Sequence, residues 1–129
     1  MCDHYCGVFP RMVKSLELQR TLIREYGACV MDVTLDCEDG APIGFELAHA
    51  HSLAELLLTN KPSDAGARVG VRVHALDNST LDGQSSHFKS DVDIILGAAA
   101  SQVAFVMLPK VECRADVDTA CALIDQVVG

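Results

Sequence analysis

The chain has no tryptophan, and only 5% of its 129 residues are aromatic. Half of its residues are nevertheless hydrophobic, so small and aliphatic side chains must fill its core. No apolar run is long enough to span a membrane. The opening Met1-Cys2-Asp3-His4-Tyr5-Cys6 lacks the charged-then-apolar pattern of a secretory leader. A basic excess is missing too. Net charge is −8, with 10 scattered Lys and Arg against 18 Asp and Glu, which argues against a nucleic-acid backbone as the main partner. A small anionic ligand stays open, because local Arg and Lys matter more than the total. Six cysteines are present, but Cys2, Cys6, Cys29, Cys37, Cys113 and Cys121 show no disulfide-scaffold spacing. Cys29 and Cys121 fall inside predicted elements, where a cysteine usually acts as a small buried hydrophobe. This usage points to a reducing, cytoplasmic compartment. No P-loop, dinucleotide fingerprint or nucleophile elbow occurs.

What is present is an alternation. Residues 11–26 read as an amphipathic helix after Pro10, with Met12, Val13, Leu16, Leu22, Ile23 and Tyr26 mostly on one face and Gly27 as the stop. Strands are expected at 29–36, 68–74 and 103–108. Further helices are expected at 45–59, 87–98 and 114–127, the last with Val117, Cys121, Ile124 and Val128 on one stripe. The run 103–108 is almost continuously apolar, as in a parallel strand buried on both faces. Lys61–Gly66 reads as a turn, and the polar stretch Leu76–Ser86 as a functional loop over a strand end. Alternating helices and strands imply right-handed βαβ units on a parallel sheet, in one domain over 1–129.

Each strand ends in charge, and in parallel α/β folds the site gathers at the carboxyl ends. The first run leads into Asp36-Cys37-Glu38-Asp39-Gly40. Alternation puts Asp36 and Glu38 on one face and Cys37 on the other. Such a cluster suits acid–base work, or a solvated loop with a capping Asp. Arg72 lies among valines and must be paired. A substrate carboxylate, Asp36 and Glu38 are all candidate partners. Lys110 and Glu112 follow Pro109, either as a phosphate- or carbonyl-binding lysine or as a surface pair opening a helix. Cys2, His4 and Cys6 resemble a short metal cluster without an evident fourth ligand. His49 and His51, two apart on a helix, are expected to be exposed.

Three of these stretches resemble one family in order and spacing. Met31-Asp32-Val33-Thr34-Leu35-Asp36-Cys37-Glu38-Asp39-Gly40 is similar to the "LDLEDAV" signature of the HpcH/HpaI aldolase and citrate lyase family. Arg68–Val73 resembles its "RVN" strand, Val106–Glu112 its "MLPKVE" strand, and Ala115-Asp116-Val117 the start of the next helix. The resemblance implies a TIM (β/α)8 barrel, of which this chain is about the first half. It also implies a Mg²⁺-dependent carbon–carbon lyase acting next to an acyl-CoA thioester or a 2-oxo acid. Arg72 would bind and polarise a substrate carbonyl or carboxylate, Glu38 and Asp39 would form the acidic wall around it, and Lys110 would lie close by. The family's metal ligands are a Glu and an Asp on later strands, so no residue up to Gly129 is expected to ligate the metal.

The chain departs from the family pattern in four places. Gly40 stands for the usual alanine, and His74 for the asparagine after the arginine strand. The first strand is expected to be largely missing. The chain also ends at Gly129, about halfway round a barrel, so it reads as a fragment whose open edges would pair with a second half-barrel or dimerise. Two further readings stand beside the lyase: a 2-oxo-3-deoxy acid aldolase without CoA, and a non-catalytic α/β module. An open α/β sandwich is the structural alternative. In the complete enzyme, Arg72→Ala is expected to abolish turnover and leave the fold intact.

Overall fold

A computed structural model describes residues 4–60, 66–76 and 86–129, with the backbone alone at positions 4 and 5. The elements follow in order: β1 (His4–Cys6), α1 (Phe9–Tyr26), β2 (Val33–Asp36), α2 (Glu46–Thr59), β3 (Val69–Arg72), α3 (His87–Asp91), a π-helical turn (Val92–Leu96), α4 (Gly97–Ala99), a 3₁₀ turn (Ala100–Gln102), β4 (Phe105–Met107) and α5 (Arg114–Val128). The four strands pair in sequence order, all parallel, as a sheet that stays open. This is part of an α/β barrel. The first strand, expected to be largely missing, is present in short form: His4, Tyr5 and Cys6 pair with Val33, Thr34 and Leu35. His4-Tyr5-Cys6 lies in no apolar run, unlike the strand within 103–108, which is why the pattern did not show it. The positions read as the loop tip (77–85), most of the Lys61–Gly66 turn, and Cys2 lie outside the described residues.

Helices pack against the sheet and make the core with it. Met12, Leu16, Leu35, Leu53, Leu57, Val71, Phe88, Val92 and Ile95 are almost wholly buried. β2 and most of β3 are buried on both faces, as parallel strands require. β4 is not: its three residues are only partly buried, because among the described residues no fifth strand pairs with it. The helix faces also differ from their sequence stripes. On α1, Ser15 and Gln19 turn inward while Tyr26 is exposed. The Gln19 side-chain amide donates to the carbonyls of Met31 and Arg68, both at 2.8 Å. It thereby satisfies two backbone groups just before β2 and β3. On α5, Ala120, Leu123, Ile124 and Val127 face the core, while Val117, Cys121 and Val128 are exposed. A stripe read at spacing three or four fixes the face only to within about one residue. Cys29 is likewise only partly buried.

Candidate functional site

The site begins with strand register. Asp36 is the last residue of β2 and Arg72 the last of β3, and they are direct cross-strand partners. Asp36 is fully buried. Its Oδ1 accepts from Arg72 Nε at 2.7 Å and its Oδ2 from Arg72 Nη2 at 2.6 Å. This is a bidentate fork in which both groups are charged. The same carboxylate also accepts the backbone N–H of Glu38 at 3.0 Å and of Gly40 at 2.8 Å. One side chain thus locks the arginine and ties down the acidic loop. Burial alone would raise the Asp36 pKa. The hydrogen bonds from Arg72, Glu38 and Gly40 and the charge of Arg72 outweigh it and hold the carboxyl below its ordinary value. Arg72 is correspondingly pushed above its ordinary value, first by the Asp36 hydrogen bonds.

Glu38 comes next on the same face, and its side chain is only 6% exposed. Its Oε1 pairs with Lys110 Nζ. Its Oε2 lies 3.8 Å from Arg72 Nη1 and is buried without a hydrogen bond. Asp39 is exposed and reaches Lys110 Nζ at 3.4 Å. Lys110 follows β4 and has a left-handed backbone, φ 53°. Its hydrogen bonds to Glu38 and then to Asp39 raise its pKa, so it stays an ammonium. That suits charge stabilisation and disfavours a Schiff-base role, which needs a neutral amine. Arg72, Glu38, Asp39 and Lys110, picked out separately in the sequence, therefore meet at one point. Glu112 does not join them. Its backbone N–H donates to Asp116 at the start of α5.

Cys37, between the two acids, turns into the core. Burial raises its thiol pKa well above the ordinary value, with help from the charges of Asp91 and Asp36. We expect iodoacetamide at neutral pH to label the exposed Cys113 and Cys121 and to spare Cys37 in the native protein. Peptide mass spectrometry reads the result, and early labelling of Cys37 would contradict this packing.

Sequence reasoning missed two histidine contacts. His49, expected to be exposed, is half-buried, and its Nε2 lies 2.9 Å from the Asp36 carbonyl. His51 is exposed. His74, two residues past Arg72, places Nδ1 2.7 Å from Asp91 Oδ2, and the same oxygen accepts the His74 backbone N–H at 2.8 Å. The only sequence signal was His74 itself, standing where the family pattern has asparagine. Beside these groups two cavities open. One, of about 280 Å³, is lined by His74, Leu76, Phe88, Pro109, Lys110 and Asp116 among others. The other, of about 360 Å³, is lined by Glu38, His74, Ala75, Leu76, His87 and Lys110.

The charged groups of this chain thus converge beyond the carboxyl ends of its parallel strands, the end at which α/β barrels place their sites. The chain is similar to a crystal structure of a citrate lyase from Burkholderia xenovorans LB400, with a TM-score of 0.76 and 39% identity. The match covers 98% of this chain and 35% of that one. No protein-family model and no curated protein matches. On fold and sequence together, the chain is citrate lyase-like over nearly its whole length, and it spans about a third of the citrate lyase it matches. Among the described residues no three His, Cys, Asp or Glu side chains form a set that could hold a metal. Asp36 and Glu38 are already engaged by Arg72 and Lys110. The described residues thus do not fit a complete magnesium site. Among them, no helix is long and apolar enough to cross a membrane.

Proposed function

We propose that this chain forms the substrate-anchoring wall of a carbon–carbon lyase that makes or breaks a bond next to an acyl-CoA thioester or a 2-oxo acid. The observation that carries the reading is Arg72 held by buried Asp36 at adjacent strand ends, with Lys110 beside it over an open cavity. Cleaving such a bond leaves an enolate on one fragment, and fixed positive charge near the developing oxyanion lowers the barrier. Arg72 is the better candidate to grip the substrate, because its orientation is set before the substrate arrives. Lys110 adds a second cation: it lines both cavities and shares the Glu38 carboxylate with Arg72. The family resemblance adds magnesium. Since the described residues do not make its site, the chemistry derived for this chain runs through its own groups. The outer edges of β1 and β4 fit assembly with a second set of strands.

The test is an assay of the purified protein with magnesium. The panel holds citryl-type and malyl-type CoA thioesters and 2-oxo acids of the aldol kind, and mass spectrometry reads the shorter product. Cleavage of at least one thioester above the uncatalysed rate is the expected result. Turnover of a 2-oxo-3-deoxy acid alone would move the reading to an aldolase. No turnover of any member, with or without magnesium, would overturn it in favour of a non-catalytic module.

A further inference from the structure

A histidine directly after a barrel strand, held by a buried carboxylate and facing a cavity, has the parts of a proton-transfer pair. His74 leaves β3 and lines both cavities. Asp91, 1% exposed, ends α3. Its Oδ2 accepts from both the backbone N–H and Nδ1 of His74, at 2.8 and 2.7 Å. A carboxylate only accepts, so Nδ1 carries the proton. The lone pair of the neutral ring then sits on Nε2. No described residue hydrogen-bonds that nitrogen. The groups facing the ring come from every neighbouring element. They are Asp91 and His87 from α3, the latter with its ring centroid 5.1 Å away, and Glu38 from the loop after β2. Glu46 acts on it from the start of α2, and Lys110, Glu112 and Asp116 line the cavity from the β4–α5 side.

We propose that His74 is a catalytic base of the lyase reaction, oriented by Asp91 as its positioning residue. The inference rests on the function proposed above and names the group that moves the proton. In the cleavage direction, Nε2 takes the proton from the substrate hydroxyl. The O–H pair becomes the new carbonyl bond, the carbon–carbon bond breaks, and its pair forms the thioester enolate. The imidazolium then returns the proton to the enolate carbon, so no net proton or electron is gained or lost. Asp91 stabilises the imidazolium between the two transfers. Its hydrogen bond raises the His74 pKa, against the opposing effect of burial. The base form therefore dominates only above a raised value, and activity falls as pH drops through it.

The experiment is the pH profile of kcat/KM for the intact wild-type protein and for His74→Asn and Asp91→Asn, with ¹⁵N spectra of the histidine rings. Wild type should show an acid limb above the ordinary histidine range of about 6.5 and a His74 ring protonated at Nδ1. His74→Asn should lose that limb and fall at least ~100-fold in kcat. Asp91→Asn should move the limb and the ring titration to lower pH. If Asp91→Asn fails to fold, His74→Gln and the wild-type ring spectrum carry the test. A His74→Asn protein with wild-type rate and acid limb overturns the base while leaving the lyase reading in place. A wild type that cleaves nothing overturns both.

Discussion

Replacing Arg72 by alanine should lower the unfolding free energy by about 3 kcal/mol near neutral pH, the lower end of the range for breaking a buried pair. The cause is Asp36. Its side chain is fully buried, and its partner guanidinium is 21% exposed. The variant strands the carboxylate with only two backbone N–H donors. The lower end applies because the exposed fifth of the arginine already has water. The sign with pH follows from Asp36. Its folded pKa is depressed in the wild type, so its contribution is fully present above the ordinary carboxylate value. That contribution is lost as pH falls through the lowered one. Without Arg72, burial drives the same carboxyl upward, so the variant can take up a proton in the folded state. The stability gap between wild type and variant should therefore narrow as pH drops below about 4. Urea unfolding at two pH values measures this. An Arg72→Ala protein as stable as wild type at neutral pH would show that the fork holds nothing together. The sequence alone expected that variant to keep its fold. The buried partner is what changes the outcome, and activity loss in it must be read beside the stability loss.

The second large effect is expected at Gly7, just past β1. A Cβ there would lie 1.9 Å from the Gly40 carbonyl oxygen and 2.5 Å from the Ala41 nitrogen. Both are backbone atoms, so no rotamer change relieves the clash. Gly7→Ala should push the acidic loop outward, break the Gly40 N–H bond to Asp36 and cost about 3 kcal/mol. That corresponds to a melting temperature lower by roughly 10 °C. Gly97→Ala is the control. Its Cβ would meet only Val127 Cγ1 at 3.8 Å, and alanine suits a helix interior better, so stability should rise by up to about 1 kcal/mol. Thermal melts of both variants decide. Equal melting temperatures would mean that the loop yields freely at Gly7.

Much of this was legible before the fold. The alternation announced β2, β3 and β4 and the helices between them, because apolar runs and 3.6-residue stripes are local signals. Arg72 among valines announced a partner, and Asp36 was among the candidates. The choice between Asp36 and substrate needed register, which pairs residues 36 apart. Asp91 lay hidden for the same reason. It sits 17 residues from His74 in a helix whose apolar neighbours suggested only packing. His49 looked exposed because helix spacing says which residues share a face, and not which carbonyl lies opposite. β1 lies in no apolar run and so did not show, and the burial of β4 was overestimated because an apolar run does not say whether a neighbouring strand is there.

Lys110 carries a last implication. Among the described residues it is the one non-glycine with a left-handed backbone, a conformation that costs an ordinary side chain roughly 1–2 kcal/mol. A glycine would relax that bend at once, yet it would remove the cation that sits between Glu38 and Asp39. The residue best for the local backbone and the residue best for charge thus differ at this position. Selection for thermal endurance alone would drift toward glycine or asparagine, and a laboratory evolution experiment that rewards only heat resistance should erode the site here first.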